Sequence, residues 1–157
     1  HIRETDCNHL ILRSSWIYDT QHSNFLTIIL KKIAAGEDIT IRANQIGAPT
    51  SARFLASCTW KVIKNYRKNL SGIYHATCMG STTWAGYAQL IADRVTRMSI
   101  EKPAQPSLIN LSKTVELEKP PRPYYCVLDN NKLQKTFRII APSWDQELIE
   151  HINDIHR

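Results

Sequence analysis

Short apolar, β-branched runs alternate along this chain with stretches of helical periodicity, and that alternation confines it to an α/β fold. Leu10-Ile11-Leu12 reads as a buried strand of a parallel sheet, ending in the polar residues Arg13-Ser14-Ser15. Asn24 is placed to cap a helix from about Phe25 to Ala35, with Lys31 and Lys32 near its end and Gly36 as its stop. Ile39-Thr40-Ile41 is a second strand. Thr50 or Ser51 then caps a helix to about Arg67, whose apolar face is Phe54, Leu55, Cys58, Val62 and Ile63. Gly72–Ala76 is a third strand. Gly80-Ser81-Thr82-Thr83 caps a further helix, Trp84 to about Met98, with Tyr87, Leu90, Ile91 and Val95 inside.

Beyond Met98 the pattern changes. Residues 101–125 are proline-rich with few periodic apolar positions, which predicts a mostly extended connection. Asp129 introduces a short helix to Phe137, and Trp144–Ile155 is amphipathic, with Leu148, Ile149, Ile152 and Ile155 on one face.

A length of 157 residues suits one domain or one half of a larger enzyme. Hydrophobic content of 43% with 22% charged residues argues against disorder. No apolar run approaches the roughly 20 residues of a membrane span, so no membrane partner is expected. Cys7, Cys58, Cys78 and Cys126 are scattered, without CxxC or Cys/His ligand spacing; reduced thiols in a cytoplasmic protein and no metal site are expected. The formal charge of +6 fits either a basic surface with no particular partner or an anionic ligand. The dispersed Lys and Arg residues form no nucleic-acid recognition motif. No signal-peptide pattern opens the chain, and a first residue of histidine suggests a processed or truncated product.

Two words couple a strand end to a polar or Gly/Pro turn: Arg13-Ser14-Ser15-Trp16-Ile17-Tyr18 and Asn44-Gln45-Ile46-Gly47-Ala48-Pro49-Thr50-Ser51-Ala52. Carboxyl ends of strands are where open α/β sheets bind ligands. Taken in order with Asn24-Phe25, Gly72-Ile73-Tyr74-His75, Thr83-Trp84, Arg122-Pro123, Leu128 and Lys132, they closely resemble the C-terminal half of the dTDP-4-dehydrorhamnose reductase family. These are extended short-chain dehydrogenase/reductases, and the resemblance spans essentially the whole chain.

The resemblance implies the C-terminal part of a Rossmann-like, NAD(P)-dependent reductase, with residues 1–157 as its substrate-binding portion and the dinucleotide-binding portion absent from the chain. The family reduces a 4-keto dTDP-deoxysugar to dTDP-L-rhamnose with NADPH or NADH. Hydride delivery requires a Gly-rich loop for the cofactor and a Tyr-x-x-x-Lys pair for acid catalysis. The five glycines give no GxGxxG or GxxGxxG spacing, and no tyrosine is followed four residues later by lysine. No catalytic or cofactor-binding residue is therefore expected here, and no cofactor is expected to bind this chain alone.

By the same resemblance Trp16 contacts the substrate, its aromatic plane suiting the apolar face of a 6-deoxysugar. Asn44, Gln45 and the turn through Thr50 are the next candidates; Gly47 and Pro49 are read as turn geometry, and Thr50 and Ser51 as helix caps. The family usually has an acidic residue where Asn44 stands and serine where Cys126 stands. Arg122 can pair with a nucleotide diphosphate or be a solvated arginine. Asn24 is a substrate contact or a helix cap. His75 is expected as a satisfied core histidine, with Trp84 and Tyr87 also in the core. The expected partners are a dTDP-sugar and either a second copy or the missing N-terminal half. The alternative is a non-catalytic regulatory module, as in the methionine adenosyltransferase regulatory subunit.

Overall fold

A computed structural model describes residues 2–5, 7–42, 45–98, 109–112 and 123–155. The order of elements is β1 (Leu10–Arg13), β2 (Ile17–Tyr18), α1 (Phe25–Ala35), β3 (Ile39–Arg42), β4 (Ile46–Gly47), β5 (Thr50–Ser51), α2 (Ala52–Lys64), β6 (Gly72–His75), β7 (Thr82–Thr83), α3 (Trp84–Met98), β8 (Ile109–Ser112), α4 (Asn131–Phe137) and α5 (Trp144–Ile155). The fold is mixed α/β, as the alternation predicts.

The strands pair two by two. β1 runs parallel to β6, from Leu10↔Gly72 to Arg13↔His75. β2 runs parallel to β5, and β3 to β8. β4 and β7 are antiparallel, with Ile46 opposite Thr83 and Gly47 opposite Thr82. The first and second strands expected from sequence thus belong to different pairs. β8 lies inside the segment expected to be an extended connection; proline density hid it, since only four residues pair with β3.

Two apolar cores result. Leu26, Ile29 and Ile33 of α1 meet Ile39 and Ile41 of β3, Tyr87 and Ile91 of α3, and Leu148 and Ile152 of α5. Phe54, Cys58 and Val62 of α2 meet Tyr74, Cys78, Leu133 and Phe137. Trp144 packs against both. The spacing of these residues on their helices is the three- and four-residue rhythm of a buried helical stripe.

The helix ends follow local chemistry. Asn24 Oδ1 accepts from Leu26 N and Thr27 N while Thr27 Oγ1 accepts from Asn24 N, a capping box. Gly36 closes α1 at φ 68°, where a Cβ is costly. Of the two candidate caps for α2, Ser51 takes the role, accepting from Phe54 N. α2 stops at Lys64 rather than near Arg67: Asn65 leaves helical geometry at φ −103° and ψ 6°, its Nδ2 donating to Lys61 O, and Tyr66 N falls back to Ile63 O. Ile63 is exposed rather than on the buried face. The α5 stripe also differs: Glu147 and His151 are buried beside Leu148 and Ile152, whereas Ile155 is exposed.

Candidate functional site

The two words singled out in the sequence meet in space. Trp16 follows β1 and leads into β2, and its carbonyl accepts from Thr50 N at 3.1 Å. Its backbone sits at φ 48°, a left-handed conformation that a bulky side chain rarely adopts and that costs about 1–2 kcal/mol. Such a residue persists only where its surroundings over-determine it. Here Trp84, the first residue of α3, lies parallel to the Trp16 indole at 3.7 Å and 14°. Phe25 packs on Trp84 at 4.4 Å, and on Tyr87 at 5.1 Å. An aromatic column therefore runs from the strand end into the α1/α3 core.

Gln45 fixes the column from the side, its Oε1 accepting from Trp84 Nε1–H at 2.8 Å. Gly47 sits against Trp16 so closely that an added Cβ would lie 2.5 Å from Cε2. The β4 backbone is clamped by Ile46 N donating to Tyr124 O and Cys126 N donating to Ile46 O, both at 2.8 Å. This brings the 123–126 segment to the rim, with Tyr124 and Tyr125 exposed there. Thr83 Oγ1 accepts from Gly86 N at 3.0 Å and so caps α3.

The structure brings Trp16 and Gln45 together. Asn24 stands at the head of α1, its Nδ2 donating to Asp19 O, Asp19 Oδ1 and His22 O. Its amide is spent on local structure. Arg122 and Asn44 lie outside the described residues. Trp84 is half-buried and packs against the α1/α3 core, as expected, while its outer side stacks on Trp16. Helical periodicity could not separate a core tryptophan from one that closes a strand-end site. His75 is half-buried rather than in the core, with Nδ1 3.0 Å from Asp129 O.

A second polar cluster, missed in the sequence, lies behind β5. Ser51 Oγ donates to Glu147 Oε1 at 2.5 Å, and Arg53 reaches Glu147, Glu150 and Asp154 of α5. His151 Nδ1 lies 2.9 Å from Glu147 O. Nearby, burial pushes the Cys78 thiol up to about 11, against bonds from the Ser51 backbone and Thr50. The signal for this cluster was the Glu147/His151 i, i+4 spacing, which reads as an exposed face unless Ser51 and Arg53 are known to oppose it. Among the described residues no group of three or more His, Cys, Asp or Glu could hold a metal ion. Nor is any helix among them long and apolar enough to cross a membrane.

Paired parallel strands with helices between them, and aromatic residues gathered at a strand end, define a Rossmann-like α/β fold. The chain belongs to the RmlD substrate binding domain family, whose model matches residues 1–157. It is similar to the dTDP-4-dehydrorhamnose reductase of Escherichia coli strain K12, at 30% identity over 157 residues, covering 98% of this chain and 52% of that protein. The Salmonella typhimurium reductase is 32% identical over 140 residues, covering 87% and 46%. Among solved structures, the Bacillus anthracis dTDP-4-dehydrorhamnose reductase in complex with NADP superposes with a TM-score of 0.78 at 25% identity, covering 98% and 50%. The Clostridium acetobutylicum reductase gives 0.77 at 28%, covering 94% and 49%. The chain spans about half the length of the relatives it matches.

Proposed function

We propose that this chain is the substrate-side portion of a cytoplasmic dTDP-4-dehydrorhamnose reductase, an oxidoreductase that converts a 4-keto dTDP-deoxysugar to dTDP-L-rhamnose with NADPH or NADH. The single observation that carries the reading is the Trp16–Trp84–Gln45 assembly at the β1 end, in a chain matched throughout by the substrate-binding family. Trp16 and Gln45 are the proposed sugar-side residues, and Arg122 the contact for the diphosphate, which accords with the chain's positive charge. Asn24 would contact the ligand only while holding the α1 cap.

In this proposal the dinucleotide cofactor is held by residues other than those described. A diphosphate cradle needs free backbone N–H groups at a helix start. At the β5–α2 junction Thr50 and Ser51 are fully buried, and their hydroxyls donate to Ala48 O and Glu147. The chain's own part is to bind and orient the sugar.

Titration of the 157-residue chain with dTDP-L-rhamnose, followed by tryptophan fluorescence and calorimetry, tests this. Weak saturable binding that Trp16→Ala abolishes is expected, with no binding of NADPH. Saturable NADPH binding would overturn the division of labour, and absence of any nucleotide-sugar response would favour a non-catalytic interaction module.

A further inference from the structure

The ring of Trp16 is covered on both faces. A Cβ built on Gly47 would lie 2.5 Å from Trp16 Cε2 and 2.8 Å from Cδ2 and Cζ2. Cε2 is a ring-fusion carbon without hydrogen, so the nearest approach to it comes from above the plane, not from the edge. The Trp84 ring, parallel at 3.7 Å, needs a whole face for itself. Gly47 and Trp84 therefore lie on opposite faces. Trp84 in turn is not free to leave: Gln45 holds its Nε1–H at 2.8 Å, and Phe25 packs on it at 4.4 Å.

The edge of the indole is different. Trp16 is half-buried, and its Nε1–H has no hydrogen-bond partner among the described residues. The buried hydroxyls of the preceding Ser14 and Ser15 have none either. Buried hydroxyls are seldom left unpartnered in a finished fold. A tryptophan N–H is a donor only, so what it selects is an acceptor oxygen.

We infer that Trp84, tethered by Gln45, occupies the stacking face of Trp16 permanently, so that the ligand is read by the Trp16 indole N–H edge and not by its ring plane. This rests on the nucleotide-sugar reading above and deepens it. The group recognised is a hydroxyl or diphosphate oxygen of the ligand, not the apolar face of the deoxysugar. On the sugar side Gln45 then acts first as a positioning residue, its Oε1 holding Trp84 in place.

The four indole N–H groups of Trp16, Trp60, Trp84 and Trp144 can be followed separately by NMR in the 15N-labelled chain. In the free protein the Trp16 signal is expected to exchange rapidly with solvent and the Trp84 signal slowly; protection of Trp16 would overturn the inference without reference to any ligand. On titration with dTDP-L-rhamnose the Trp16 signal should shift saturably while Trp84 keeps its position. Trp16→Phe, which retains an aromatic plane and loses the N–H, should weaken binding about tenfold, with its fold checked by urea unfolding. Wild-type affinity in Trp16→Phe, or a shift confined to Trp84, overturns the edge-on contact. No response of any indole overturns the nucleotide-sugar reading instead, and the exchange order still decides the closed stack.

Discussion

At the level of single residues, Gly47 and Trp16 are mutually required. Gly47 has no unusual backbone to excuse it; the Trp16 ring is the reason it bears no side chain. Gly47→Ala should cost about 1–3 kcal/mol, read from urea unfolding, because Trp16 is pinned by Trp84 and cannot yield. The cysteines differ by the same logic of surroundings. All four are free, with Cys7 exposed and Cys58 and Cys78 buried. At pH 8 a disulfide reagent should modify Cys7 first and reach Cys58 and Cys78 only on unfolding. Burial raises both buried thiols, Cys78 to about 11. A raised folded pKa means the native state holds the proton longer. Its stabilising contribution is complete below the unfolded thiol pKa of about 8.5 and is lost as pH rises through about 11. Unfolding free energies measured from pH 8 to 11 should decline; a rise across that window would show the assigned direction to be wrong.

At the level of elements, Ser51 does two jobs. It caps α2 and donates to Glu147 of α5. Ser51→Ala should therefore cost about 2–3 kcal/mol, more than the ~1 kcal/mol of a typical cap, since it also leaves a buried carboxylate short of a donor. A double-mutant cycle with Glu147→Gln should show coupling above about 0.5 kcal/mol. Simple additivity would mean that the two ends are held independently. Arg53→Ala should cost about 1–3 kcal/mol: its pairs with Glu150 and Asp154 are exposed and contribute little, but it also lies 3.5 Å from the buried Glu147 carboxylate, which would lose a counter-charge. The helices were legible in the sequence because their signals are local: Asn24, Ser51 and Gly36 cap where side-chain chemistry says they should. What stayed hidden depends on distant neighbours. Nothing in Glu147 or His151 by itself says buried, nothing in Trp84 says that Trp16 lies on it, and nothing in a proline-rich run says that Ile109–Ser112 pairs with Ile39–Arg42. Likewise the sequence names Trp16 and Gln45 as candidates, but that Gln45 grips Trp84 depends on residues 39 positions apart meeting in the fold.

At the level of the whole molecule, the strands among the described residues form four two-stranded pairings. Within the described residues β1 offers Leu10, Ile11 and Leu12 on a strand paired only with β6. An apolar strand with one open side recruits a further strand. The isolated chain should associate in a concentration-dependent manner, visible by sedimentation velocity, and a monomer over the whole micromolar range would contradict this.

The pairings also set a timetable. Each parallel pair joins distant parts of the chain: Leu10 with Gly72, Ile17 with Thr50, Ile39 with Ile109. The Ser51–Glu147 bond spans 96 positions. Contacts this far apart in sequence must close large loops before they return any stability, which slows folding. During synthesis Ile39 and Ile41 leave the ribosome well before the strand that pairs with them exists. A nascent chain must therefore hold Ile39–Arg42 unmatched until the residues of β8, some 70 positions later, have been added.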